Sequence, residues 1–175
     1  MDSVSYQLLV QVFLILLNAI FASAEIAVIS FNDMKLQKIA DDGNKKAKKL
    51  VKLTAEPTNF LGTIQVGITL AGFLGSAFAA DNFSDIISEA MVNAGVPLPV
   101  SVIDTVSVIL ITIILSYFTL IFGELVPKRI AMKKAEALSL ALANFLYIIA
   151  KVCKPIVWFL TASVTVTSVS VVPSL

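Results

Sequence analysis

The sequence predicts an all-α integral membrane domain, with three transmembrane helices and amphipathic juxtamembrane (belt) helices. Three observations carry that prediction. The 175 residues are 58% hydrophobic and 14% charged, with mean hydropathy +0.93, whereas soluble domains are about 25% charged and about 45–50% apolar. Apolar runs exceed the roughly 20 residues that cross a bilayer. The Lys and Arg residues fall in three places only: Lys35–Lys52, Lys128–Lys134, and the pair Lys151 and Lys154. The same composition narrows the chemistry. With no His, the commonest metal ligand and general base is missing. A single Cys, Cys153, rules out an intramolecular disulfide and a cysteine zinc site. Hydrolase and transition-metal chemistry are disfavoured, and a protein that is not an enzyme is expected.

Val4–Phe31 is the first span, interrupted only by small polar residues and Glu25. Its FASAE sequence (Phe21–Glu25) has the look of a signal-peptidase site. However, the preceding segment carries Asp2 and no cation, and cleavage would send the lysine-rich stretch behind it across the membrane, against the positive-inside bias. A retained span is expected. Asn32–Glu56 has apolar residues at helical spacing with a break near Asp41–Asn44, which predicts two short amphipathic helices on the membrane surface. Beside a span, their lysines mark the cytoplasmic side and touch anionic lipid rather than nucleic acid.

The second span, Asn59–Ala80, holds Gly62, Gly67, Gly72 and Gly75. Small residues allow close helix packing in lipid. A helix weakened between Gly67 and Gly72 would instead line a cavity, and both readings stand. Asp81–Asp104 is acidic without a single cation, so it belongs outside the cell. It is read as a short amphipathic piece, Phe83–Val92, followed by a Gly95–Pro99 turn. Val100–Gly123 is the third span. Ala135–Thr161 is again long and apolar, but central lysines with Pro155 are costly in hydrocarbon, which favours a helix at the cytoplasmic interface over a fourth span. The expected domain is residues 1–161, with a tail at 162–175, the N-terminus outside and the C-terminus cytoplasmic.

The informative stretch is Phe118–Ala131, FTLIFGELVPKRIA. An acid at the end of a membrane-length apolar run must face protein, water or an ion, which makes Glu124 a functional candidate. Pro127 lacks an N–H and biases Val126 away from helix, so nearby carbonyls are expected to be freed. A carboxylate beside free carbonyls suits a hard cation such as Mg²⁺. The alternative is that Glu124 pairs with Lys128, one turn on, or with Arg129.

Three stretches, NAIFASAEIAVIS (Asn18–Ser30), TIQVGITLAGFLGS (Thr63–Ser76) and FGELVPKRIA (Phe122–Ala131), resemble in identity, order and separation the transmembrane domain of the CorC/cyclin-M (CNNM) magnesium transport family. The resemblance implies a homodimer of three-span domains with a belt-like juxtamembrane helix, an intramembrane site for dehydrated Mg²⁺, and Na⁺-linked export by alternating access. Cytoplasmic regulatory domains of the cystathionine-β-synthase type usually follow, so an isolated membrane domain of a longer protein is expected. Some relatives carry Asn in the second-span motif near Gly72. The metal ligands expected are Ser23, Thr69, Gly72, Gly123 and Glu124. Asn18, Glu25, Pro127 and Lys128 are candidates for a supporting shell or for Na⁺. Ser23 lies five residues from Asn18, so the two need not share a helix face. A membrane sensor that binds Mg²⁺ without moving it, or a structural anchor, is the alternative function.

Overall fold

A computed structural model describes residues 3–171, with side chains for residues 4–164. Within them the chain is helical throughout: α1 (Ser3–Ile29), α2 (Asp33–Asp41), α3 (Lys45–Thr54), α4 (Pro57–Asn93), α5 (Val100–Leu120), a π-helical turn (Ile121–Leu125), α6 (Val126–Lys133) and α7 (Ala135–Val171). The two short amphipathic helices form where expected. Asn32 and Asn44 cap them, accepting from the Lys35 N–H and from the Lys46 and Ala47 N–H groups. Gly43, at φ +99°, makes the turn between them in a conformation that costs other residues more.

Several expectations are corrected. α4 is continuous through all four of its glycines and runs to Asn93, so the span is neither broken at Gly67–Gly72 nor ended at Ala80. The piece expected at Phe83–Val92 is the end of this same helix. Pro127 does not break the third span either. Val126 is helical (φ −66°, ψ −49°), and the irregularity is a π-turn just before the proline. α7 is one helix through Pro155 and past Thr161, and residues 172–175 of the expected tail lie outside the described residues. Among the described residues, four segments are long and apolar enough to cross a membrane: Val4–Ile29, Pro57–Asn93, Val100–Lys133 and Ala135–Val164.

The chain divides into two compact units. The first takes α1 through Ile20, α4 from Thr69, α5 and the π-turn. Gly75 lets α4 approach α1, since a Cβ there would meet the Gln11 side chain at 3.5 Å and Leu14 at 3.8 Å. Gln7 Nε2 donates to Asn82 Oδ1 at 3.0 Å, and the Ser88 hydroxyl donates to Asp104, tying α4 to α1 and α5 by polar contacts.

The second unit takes the rest of α1 from Phe21, α2, α3, α4 through Ile68, α6 from Lys128, and α7. Phe21 is buried within it. Its ring packs on Phe145, centroids 5.5 Å apart, and fills the space that Gly67 leaves, where a Cβ would lie 2.6 Å from the ring. α3 lies along α7. Lys49 Nζ donates to Asn144 Oδ1 at 2.8 Å and sits 5.4 Å from the Tyr147 ring centre, while Lys35 of α2 pairs with Glu136.

Candidate functional site

The π-turn positions the carboxylate that the sequence singled out. In an α-helix, residues five apart are about 140° out of phase, at about 100° per residue. Here the Val126 N–H donates to the Ile121 carbonyl, five residues back, and the wider turn brings Glu124 onto the side of α5 that carries Ser116 and Thr119. These three side chains, with Gly72 and Ser76 of α4 and with Leu115 and Leu120, line a cavity of about 310 Å³ within the first unit. One carboxylate and three hydroxyls face an otherwise apolar space. A Cβ at Gly72 would touch nothing within 4 Å, so that residue leaves open room rather than a close helix contact. Thr69, half-buried in the same unit, precedes Gly72 by three residues on α4, one turn away.

The π-turn also creates an unusual carbonyl. Pro127 has no N–H to return to Gly123 four residues back, and the Gly123 carbonyl instead accepts from Asn18 Nδ2 at 3.1 Å. Gly123 is buried against this amide, so a Cβ would sit 3.1 Å from Asn18 Nδ2 and 3.4 Å from the Ile15 carbonyl. Asn18 is 3% exposed, and its Oδ1 has no hydrogen-bond partner among the described residues. A buried amide oxygen without a partner is costly and marks a place for water or an ion. The third-span and first-span motifs therefore meet here through Asn18 and Gly123, while Gly72 and Glu124 meet in the cavity.

The other candidates belong to the second unit. Glu25 Oε2 lies 3.1 Å from Lys128 Nζ, with both side chains about a quarter exposed. This is ion-pair distance but off the direction of a hydrogen bond. Ser23 is half-buried on α1. Among the described residues no three His, Cys, Asp or Glu side chains cluster as a metal site, and the lining of the Glu124 cavity offers that one carboxylate with neutral oxygens. Ser76, Ser116 and Thr119 were missed in the sequence. Thr119, five residues from Glu124, falls on its face only if the π-turn is known, although Ser116, eight residues before Glu124, and Ser76, four residues after Gly72, were legible from helical spacing.

Residues 9–171 match the family model of the cyclin M transmembrane N-terminal domain. The chain belongs to the cyclin M transmembrane domain family. That bears out the resemblance carried by the three motifs. It is also similar to a UPF0053 protein of Synechocystis, 35% identical over 162 residues, which are 93% of this chain and 36% of the relative. The polyamine export proteins of Haemophilus influenzae (29% identical; 88% of this chain, 35% of the relative) and Escherichia coli (28%; 87% and 33%) are similar too. This cyclin M domain thus spans about a third of the length of the curated relatives it matches. It is a multi-pass membrane domain of that family.

Proposed function

We propose that this domain carries a hard cation, Mg²⁺, through the membrane, and that Glu124 supplies the charge that binds it. The observation that supports this reading is the cavity that sets the Glu124 carboxylate beside the hydroxyls of Ser76, Ser116 and Thr119. A divalent cation in a protein interior needs compensating negative charge as well as oxygen ligands. At about 30 Å³ per water, a cavity of about 310 Å³ has room for an ion with part of its hydration shell. An ion that keeps some waters fits Mg²⁺, which dehydrates reluctantly, better than the fully dehydrated ion expected from the resemblance. Asn18 Oδ1 and the carbonyls around Gly123 are further neutral oxygens for an ion in transit. Ser23 and Glu25 take a supporting or Na⁺-binding role. Export coupled to Na⁺, alternating access, a homodimer and control by cytoplasmic domains complete the proposal, with the N-terminus outside, the basic segments inside and α7 at the interface.

The test is Mg²⁺ flux in liposomes loaded with a Mg²⁺-sensitive dye, alongside calorimetry. The expected result is saturable Mg²⁺ movement that Glu124→Gln abolishes. Binding without movement in the wild type would leave a sensor or anchor in place of a transporter.

The names of the H. influenzae and E. coli relatives favour a second cargo, an organic polycation. A polyamine needs acceptors for ammonium groups and tolerates less exact geometry than Mg²⁺. Spermidine that competes with Mg²⁺ at the wild-type site, and moves in the same liposomes, would make the polyamine the substrate.

A further inference from the structure

A second cavity lies wholly within the second unit, with a volume of about 690 Å³, between the end of α3, the start of α4 and the middle of α7. Its lining is split by chemistry. Phe60 and Val157, both buried, form an apolar wall, and Lys52 and Lys154 stand at the rim from two different helices. Two other lysines of this unit are engaged inside the chain: Lys35 holds Glu136, and Lys49 holds Asn144 and Tyr147. Among the described residues, Lys52 and Lys154 have no hydrogen bond or ion pair. Glu56, one turn after Lys52, is not within ion-pair distance of it and instead accepts from Asn59 Nδ2. Trp158, 70% exposed and the chain's one tryptophan, is also at this cavity. Trp at such a position is the residue type that settles at the headgroup level of a bilayer.

We propose that this cavity is a binding site for an anionic phospholipid of the phosphatidylglycerol type. The headgroup phosphate lies between the ammonium groups of Lys52 and Lys154, and the headgroup hydroxyls donate to Glu56. An acyl chain runs along the wall of Phe60 and Val157. Two cations against one carboxylate leave a net positive rim, which a phosphodiester neutralises. The volume and the apolar wall exceed what a free phosphate fills, and a basic pocket between membrane helices is the setting in which such headgroups are held. This site is independent of the Mg²⁺ proposal and shares no residue with the Glu124 cavity.

The single tryptophan provides the readout. The chain is reconstituted in phosphatidylcholine liposomes containing a few mole per cent of phosphatidylglycerol with brominated acyl chains, which quench tryptophan on contact. The expected result is saturating quenching of Trp158 at low mole fraction, with a roughly thirtyfold preference over brominated phosphatidylcholine, in keeping with two lysines near one phosphate. Lys52→Gln/Lys154→Gln should reduce quenching to the phosphatidylcholine level. Lys45→Gln/Lys46→Gln, with the same loss of charge elsewhere on the surface, should leave it intact, and unchanged melting of both variants confirms their fold. Equal quenching by the two lipids, or an equal loss in the Lys45/Lys46 control, would overturn the site. So would equal quenching by brominated phosphatidylethanolamine, because the rim would then not select for an anion. Displacement of the lipid by millimolar inorganic phosphate at constant ionic strength would reassign the site to a soluble anion.

Discussion

At the residue scale, the contrast between Gly67 and Gly72 separates packing from function, although both are glycines in the same apolar helix. A Cβ at Gly67 collides with the Phe21 ring, whereas one at Gly72 meets nothing and enters the cavity with Glu124. Gly67→Ala is therefore expected to destabilise the domain by roughly 1–3 kcal/mol through overpacking. Gly72→Leu should leave thermal stability near wild type while lowering Mg²⁺ binding, because it fills the space an ion needs. Melting and calorimetry on the two variants check this, and a Gly72→Leu protein that binds normally would take the cavity out of the site. Glu124→Gln keeps the size and one acceptor but removes the charge, so binding should vanish while the fold survives. Thr119→Ala should be milder, since a water replaces one neutral ligand. If Glu124→Gln binds and moves Mg²⁺ like wild type, Glu124 is a structural residue.

At the scale of elements, the π-turn and the Glu25–Lys128 pair link the first and third motifs. The π-turn depends on Pro127, which withholds one hydrogen from the helix, and on Asn18, which returns one to Gly123. Asn18→Leu keeps the bulk but leaves the Gly123 carbonyl buried without a donor, at a cost of about 1–3 kcal/mol. It should also disturb Glu124, lowering Mg²⁺ affinity. Normal affinity in Asn18→Leu would show that the two sites are uncoupled. Lys128→Met strands the three-quarters-buried Glu25, and roughly 2 kcal/mol of stability should be lost. The Glu25→Gln/Lys128→Met double variant should lose less than the sum of the two single changes, as a double-mutant cycle on thermal stability would show.

At the scale of the whole molecule, the sign of charge along the chain sets the topology. No Lys or Arg occurs between Pro57 and Pro127, so α2, α3 and α6 should lie inside and the α4–α5 connection outside. Ser84→Cys should be labelled by an impermeant maleimide on intact cells and Lys46→Cys only after permeabilisation. The reverse pattern would invert the domain. The path of α7 is a separate question, because the helix is long enough to cross yet carries Lys151 and Lys154 near its middle. A spin label at Lys151 should report a shallow, water-accessible depth. A deep, oxygen-rich position would make α7 a fourth span and put both ends of the chain on one side.

The sequence by itself determined the class, the family and the main candidate residue. Hydropathy and charge act over whole segments and survive any detail of packing, and the Gly-Glu-x-x-Pro-Lys element singles out Glu124. It also located the break near Asp41–Asn44 that separates the two amphipathic helices, because Gly43 and the Asn44 cap act on their own neighbours in the chain. Tertiary structure decided the rest. Whether glycines break a helix or pack it depends on what faces them, and Phe21 and Gln11 face α4 closely enough to keep it whole. Which hydroxyls join Glu124 depends on a π-turn that shifts one face of α5 by about a residue. That shift rests on a side chain more than a hundred residues away in sequence, Asn18, whose amide the Gly123 carbonyl finds only when the helices are packed.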